Sequence, residues 1–492
     1  HCRLSPARSA RNSISAPDSD FAVRQDRYKQ RFARDGAAMT EELLQRVTAA
    51  AAPGDSDLVE VFNTTSWVRS GLVLLRPEQS GAGDRVCDEA GALVPSQRLA
   101  SGELAVWASE VPALGGRRYR VEAGAAHAAG GTQTGGDARA EGLVIANDHL
   151  RAEIDPRSGA IRSLREAAGG RELVDQEQEA GLNGYLYILG RDPEQNRAAV
   201  DGPARVVVED AGPLVATLRV ESDAPGCRSL TRRLRLARGA DHLELLNTAD
   251  KLRERRPEGL YFEFPFALPD AVARVDTPWA VVQVEEDQMP GANRNYYCVQ
   301  RFLDLSNDDY GVTWVPVDAP MVQFDPIKIA QATGLQWWRT HIDPEAYLHS
   351  WTMNNHWETN YKADQEGIIS FAYALRPHQG GYDPVAAQRF GREVCQPLLA
   401  VSVTPDSPRA NPVLEMGGAP GVVVTSLRPS REGEALILRL FNTADEPVSL
   451  APCWAPWVRS VRLSNPMEAA LDAAPAALRL GRHEILTLRL ER

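Results

Sequence analysis

Lysine is nearly absent. Lys29, Lys251, Lys328 and Lys362 are the only four among 492 residues, and arginine carries almost all the positive charge. A basic excess is missing too: Asp and Glu number 66 against 54 Lys and Arg, a net charge of -12. Nucleic-acid binders usually show the opposite balance, so that class is disfavoured. No apolar run approaches the roughly 20 residues that a membrane helix needs. The six cysteines (Cys2, Cys87, Cys227, Cys298, Cys395, Cys453) lie far apart with no CxxC pair, which excludes a zinc ribbon or thioredoxin motif. Scattered thiols in a large chain fit a cytoplasmic protein better than a secreted one. No internal repeat of fixed period occurs. The chain opens on His1, with no signal-peptide pattern after it, and reads as lacking an N-terminal part.

What remains is an ordinary globular composition, 43% hydrophobic and 24% charged. At roughly 150 residues per domain, the length suggests about three domains. Phe21, Tyr28, Phe32, Met39, Leu43, Leu44 and Val47 recur at helical spacing after Pro17-Asp18-Ser19-Asp20, where Ser19 or Asp20 can cap. One long helix or a broken pair is expected from about 20 to 52, stopped by Pro53-Gly54. From Leu58 onward short apolar runs of period two alternate with turn signals, as in Leu58–Phe62, Gly71–Leu75 and Leu104–Trp107. That spacing predicts a β-sandwich. A Gly/Ala/Thr-rich stretch over 124–139 reads as a linker. A second β region follows from Leu143, with strands such as Ser229–Leu236, His242–Asn247, Gly259–Phe266 and Gly367–Leu375, and a third spans about 400 to 492. The fold class is therefore mainly β. The expected organisation is a helical segment over 1–53, a small β-sandwich over 54–125, a large double-layered sandwich over 140–400 and a terminal β-sandwich over 401–492.

Two segments carry candidate chemistry. Asn354, Asn355, His356, Trp357, Asn360 and Tyr361 crowd one stretch of eight residues. Amides suit sugar hydroxyls, and aromatic faces suit the C–H side of a sugar ring. The stretch is too polar for a central strand and too Asn-rich for a helix interior, so a loop or irregular strand is expected. The alternative is a structural turn network with Trp357 in the core. The second segment, Glu285 to Tyr297, offers Asp287 and Arg294 as saccharide or docking contacts, against a solvated acidic loop. Trp337-Trp338 is either a sugar platform or a sheet-face core. His341, His349 and His356 have spacings of no metal-ligand pattern and read as structural or surface histidines.

Six stretches together resemble glycoside hydrolase family 38, the α-mannosidases, in the C-terminal portion of a bacterial-type member. They are Asn12–Ser19, Val61–Gly71, Val111–Tyr119, Asp155–Leu164, Glu286–Gly291, and Asn354–Tyr361 with Asp364–Gly367. The resemblance implies that the 1–53 segment is the end of a catalytic domain plus helical bundle, and that 140–400 is a galactose-mutarotase-like supersandwich. It implies a retaining glycosidase acting on α-mannosides. The nucleophile, acid/base and most zinc ligands would lie in a catalytic domain that this chain does not match. Zinc is thus implied for the full-length family and not assured for this chain. His1 falls near the place of a family zinc histidine, but Cys2–Arg11 departs from the motif that should follow it, and a terminal histidine without a ligand is the alternative. Implied partners are an α-mannoside or other carbohydrate and the chain's own catalytic domain, with no nucleic acid and no membrane. Rival readings are a non-catalytic carbohydrate-binding scaffold and an aldose-mutarotase-like enzyme, for which only His356 and Glu358 could supply an acid/base pair.

Overall fold

Period-two alternation with one apolar face demands a second layer to cover it, and the chain answers with stacked antiparallel sheets. The computed structural model describes residues 16–48, 56–127, 136–329, 339–356, 362 and 364–491. Contacts group into two units, His1–Thr48 with Thr134–Tyr382, and Ala49–Gln133 with Asp383–Arg492.

In the first unit, helix α1 spans Asp20–Thr48. It begins where Ser19 Oγ accepts from Ala22 N at 3.3 Å, a serine cap as its sequence position suggested. The apolar stripe of α1 faces solvent: Phe32 is 84% exposed, and Tyr28, Met39 and Leu43 are exposed as well. Residues 49 to 52, the expected end of this helix, lie outside the described residues.

Six strands place the site. They are β1 (Gly184–Leu189), β2 (Cys227–Ala237), β3 (Leu243–Lys251), β4 (Glu258–Pro265), β5 (Tyr347–Asn354) and β6 (Gly367–Gln379). A nine-stranded sheet holds β2, β3 and β6 side by side, and a six-stranded sheet holds β1, β4 and β5 side by side. Leu234, Leu245, Phe262, Phe264, Leu348, Trp314, Tyr373 and Leu375 fill one core spanning these strands. β3 pairs with β6 so that Lys251 opposes Gly367, and β4 pairs with β5 so that Gly259 opposes Asn354. The β3–β4 and β5–β6 connections therefore both cross from sheet to sheet at the same end. Four strand ends and two crossovers converge there.

In the second unit, Leu399–Val403 pairs with Leu58–Asn63, which pairs with Gly115–Glu122, in a five-stranded sheet. Arg69–Leu75, Leu104–Val111 and Ser96–Arg98 form its facing layer. Val59, Val61, Val73, Leu75, Val106 and Tyr119 share the core between them. A separate core gathers Leu414, Val422, Leu438, Leu440, Leu488 and Leu490. Helix α2, Pro384–Cys395, starts at Asp383, whose side chain accepts from Val385 N and Ala386 N.

Candidate functional site

The converging strand ends enclose a cleft of about 560 Å³. Its wall comprises Asp26 and Gln30 from α1, Lys251, Glu258, Leu260, Met353, Asn354, Asn355, Lys362, Asp364, Gln365 and Glu366.

Lys251, the last residue of β3, is 1% exposed. Its Nζ lies 2.8 Å from Glu258 Oε2 and donates to Leu252 O at 2.7 Å. Glu258, the first residue of β4, also accepts from the Tyr187 hydroxyl of β1 at 2.5 Å. Burial pushes the Glu258 carboxyl up, and the Lys251 ammonium and Tyr187 hydroxyl pull it back only in part. Burial and the adjacent Glu258 carboxylate push the Tyr187 phenol up. The group at the base of the cleft is thus a carboxylate fixed by two donors, with room to accept a further hydrogen bond from a bound hydroxyl.

Asp364 is the second centre. Its side chain has no exposed surface, yet Arg253 Nε lies 3.2 Å away, Arg255 Nε 2.9 Å and Lys362 Nζ 2.9 Å. Burial raises its pKa, but Lys362, Arg255 and Arg253 outweigh burial and hold the carboxyl below the ordinary aspartate range. Arg255 continues to Asp18 at 2.5 Å, which ties the start of α1 to the β3–β4 crossover.

The predicted segment divides. Asn354 ends β5 and lines the cleft; among the described residues its amide has no hydrogen-bond partner, so it can meet a ligand. Asn355 lines the cleft too, but its amide is committed to the opposite crossover. Its Oδ1 accepts from Glu258 N at 2.6 Å, and its Nδ2 donates to Arg256 O at 3.0 Å. Asn355 therefore positions Glu258. His356 has no exposed surface and lies outside the cleft wall. Burial, with the Arg191 charge nearby, lowers its pKa to about 4. The ring packs beside Trp351 and against the start of β4, where a Cβ on Gly259 would come within 2.9 Å of His356 Nε2 and 2.8 Å of Tyr261 Cε2. A buried ring of this kind cannot serve as the acid of an exposed acid/base pair. Trp357, Glu358, Asn360 and Tyr361 lie outside the described residues, as do His1, Trp337 and Trp338.

The structure does not bring Asp287 and Arg294 to this cleft. Asp287 is exposed and closes a turn by accepting from Gln283 N at 2.8 Å. Arg294 is buried, with Nε 2.7 Å from Glu285 Oε1. Glu285 also meets His341 Nδ1 at 2.7 Å. His349 is buried with Nε2 2.9 Å from Asp325 Oδ1, a structural histidine. Among the described residues no group of three or more His, Cys, Asp or Glu could hold a metal ion, so they do not fit a zinc centre.

Sequence reasoning missed Lys251, Glu258 and Tyr187: Tyr187 reaches Glu258 through the β1–β4 pairing, and Lys251 reaches it across the β3–β4 crossover from the other sheet. One signal was present: two of the four lysines, Lys251 and Lys362, line the cleft.

Asn355→Ala leaves the Glu258 N–H without its acceptor and frees the crossover. A cost of about 1–2 kcal/mol is expected, read as a melting temperature lower by roughly 2–8 °C.

Comparison with known proteins joins this geometry to a family. The sequence model of the "Glycosyl hydrolases family 38 C-terminal domain" matches residues 145–317, the span that supplies β1 to β4 with Tyr187, Lys251 and Glu258. Among solved structures, an alpha-mannosidase from Enterococcus faecalis V583 superposes with a TM-score of 0.70 at 14% identity, over 96% of this chain and 61% of that one. A protein in the Glycosyl Hydrolase Family 38 from Enterococcus faecalis gives 0.67 at 14% identity, over 93% and 61%. At such identity the likeness shows the fold. The chain spans about three fifths of the length of either structure. None of the curated proteins matches the sequence significantly. The chain is mainly β, and its residues 145–317 match the C-terminal domain of family 38 glycoside hydrolases. No described helix is long and apolar enough to cross a membrane.

Proposed function

We propose that this chain is the C-terminal part of a retaining, α-mannosidase-type glycoside hydrolase in cytoplasmic mannoside breakdown, and that its cleft binds the sugar. The observation that carries this reading is the composition of the cleft wall within a chain that matches family 38. Asn354 and Gln365 offer free amides for hydroxyls, Glu258 offers a fixed carboxylate, and Leu260 with Met353 offers an apolar face for ring C–H groups. Asn355 and Lys251 act on the sugar through Glu258, by fixing its main chain and its carboxylate.

The exposed stripe of Tyr28, Phe32, Met39 and Leu43 supports a second role, as the seat of a catalytic domain. A solvent-facing row of that size is a surface that another body covers. Retention requires two carboxyl groups about 5–5.5 Å apart acting as nucleophile and acid. In this reading the catalytic domain supplies that pair and the zinc, and the first unit holds and shapes the pocket.

The chain alone is expected to bind methyl α-mannoside and to leave an aryl α-mannoside unhydrolysed with zinc added. Saturable binding without turnover is the predicted pair of results. Turnover abolished by a chelator would contradict the division of labour, and absence of binding would contradict the assignment of the cleft.

A further inference from the structure

The charges that line the cleft constrain its ligand. Among the described residues the wall carries four carboxylates, Asp26, Glu258, Asp364 and Glu366, against two ammonium groups, Lys251 and Lys362. The two cations are already taken. Lys251 Nζ lies 2.8 Å from Glu258 Oε2 and also donates to Leu252 O. Lys362 Nζ lies 2.9 Å from Asp364 Oδ1. Arg253 and Arg255 converge on that same Asp364 from outside the wall. Of the other two carboxylates, Glu366 meets among the described residues only Arg253 Nε, at 4.0 Å, and Asp26 accepts from the neutral Gln30 amide.

A phosphate or carboxylate on a ligand needs charge-assisted donors to replace its water. Here it would find none unpaired, and it would face Asp26 and the loosely paired Glu366 in a concave, partly desolvated space with an excess of carboxylates, where repulsion is stronger than in bulk water. A hydroxyl-only ligand meets no such barrier. It can donate to Glu258 and exchange hydrogen bonds with the amides of Asn354 and Gln365.

We infer that the cleft is a charge filter: Glu258, Asp26, Asp364 and Glu366 make it select neutral saccharides and reject the same sugars when they carry a phosphate or carboxylate. This rests on the carbohydrate reading of the cleft and adds a specificity to it. The selecting residues sit on three elements, α1, the start of β4 and the β5–β6 crossover, so the filter exists only when the crossover ends and the helix are assembled together.

The test uses the chain itself and ligand-observed NMR titration with methyl α-mannoside and methyl α-mannoside 6-phosphate, at 20 mM and 300 mM salt. The neutral sugar is expected to bind about tenfold or more tightly than the phosphate at low salt. The gap should narrow at high salt, because the Debye length falls to about 8 Å or less. Glu366→Lys, at an exposed position, should narrow the gap at least about threefold at low salt. Melting curves report whether this variant is folded, and Asp26→Lys on the solvent-facing helix repeats the test independently. Phosphate binding as tight as that of the neutral sugar would overturn the filter while leaving the sugar site standing. So would a gap that neither salt nor either variant changes. Failure of both sugars to bind would instead remove the sugar site, and the filter with it.

Discussion

Lys251→Met is expected to lower the melting temperature by roughly 6–20 °C at pH 7, from a loss of about 3–5 kcal/mol. The substitution keeps the volume of the side chain and removes its charge. Glu258 then stays buried beside Tyr187 with no cation, and an unpaired carboxylate in that setting is the costly species. The pH dependence separates this cause from lost packing. The Glu258 carboxyl is already raised by burial, and losing Lys251 raises it further. A carboxyl whose folded pKa lies above its unfolded value of about 4.3 binds the proton more tightly in the folded state. Its destabilising effect is therefore absent below the unfolded pKa and grows as pH rises through the folded one. The variant should recover much of its deficit near pH 5. Adding Glu258→Gln should restore stability at pH 7, since the amide needs no counter-charge. A deficit that is equal at pH 5 and pH 7 and unrelieved by the second substitution would show a packing defect instead.

Asp364→Ala is expected to cost about 2–4 kcal/mol, less than a fully buried pair because its three cations reach solvent and can rehydrate. Arg253, Arg255 and Lys362 lose their common carboxylate, and Arg255 keeps only Asp18. The result should be local first. Amides at the start of α1 and in the β3–β4 crossover should exchange with solvent faster, while those of the β2–β3 pairing should keep their protection. Acid behaviour follows from the depressed pKa of Asp364. Its stabilisation is present above the unfolded value near 4 and lost as pH falls through the lower folded value. The variant should therefore show a shallower acid loss than the parent. Uniform loss of protection over the whole sheet would contradict a local anchor.

The contrast between these positions shows what the sequence makes legible. Strands such as Cys227–Ala237 and Leu243–Lys251 alternate cleanly because one face is core and the other is not, and they are readable from period alone. β5 is not readable that way. Tyr-Leu-His-Ser-Trp is buried at five successive positions, with His349 paired to Asp325 and Ser350 to Tyr373, so polar residues sit inside a central strand. The same logic hides β1, which is apolar on both faces and only six residues long. Helix α1 is legible because a Ser cap and an apolar stripe mark it, whereas α2 announces itself only through Asp383-Pro384.

The candidate site was legible in part. The amide-rich run overlaps the candidate cleft, since Asn354 and Asn355 line it. Composition could not say that Asn355 spends its amide on the main chain of Glu258 and Arg256, nor that His356 turns inward. Those are outcomes of register: Asn354 opposes Gly259, so the next residue meets Glu258 across the strand pair. The partnership of Lys251, Glu258 and Tyr187 likewise depends on three strands in two sheets, and no local pattern encodes it.

The most direct test of the account is a crystal of this chain soaked with an α-mannoside. The sugar is predicted in the cleft, with a hydroxyl on Glu258, the amides of Asn354 and Gln365 within hydrogen-bond distance, and Leu260 and Met353 against the ring. Density for the sugar elsewhere, with the cleft holding only water, would contradict it.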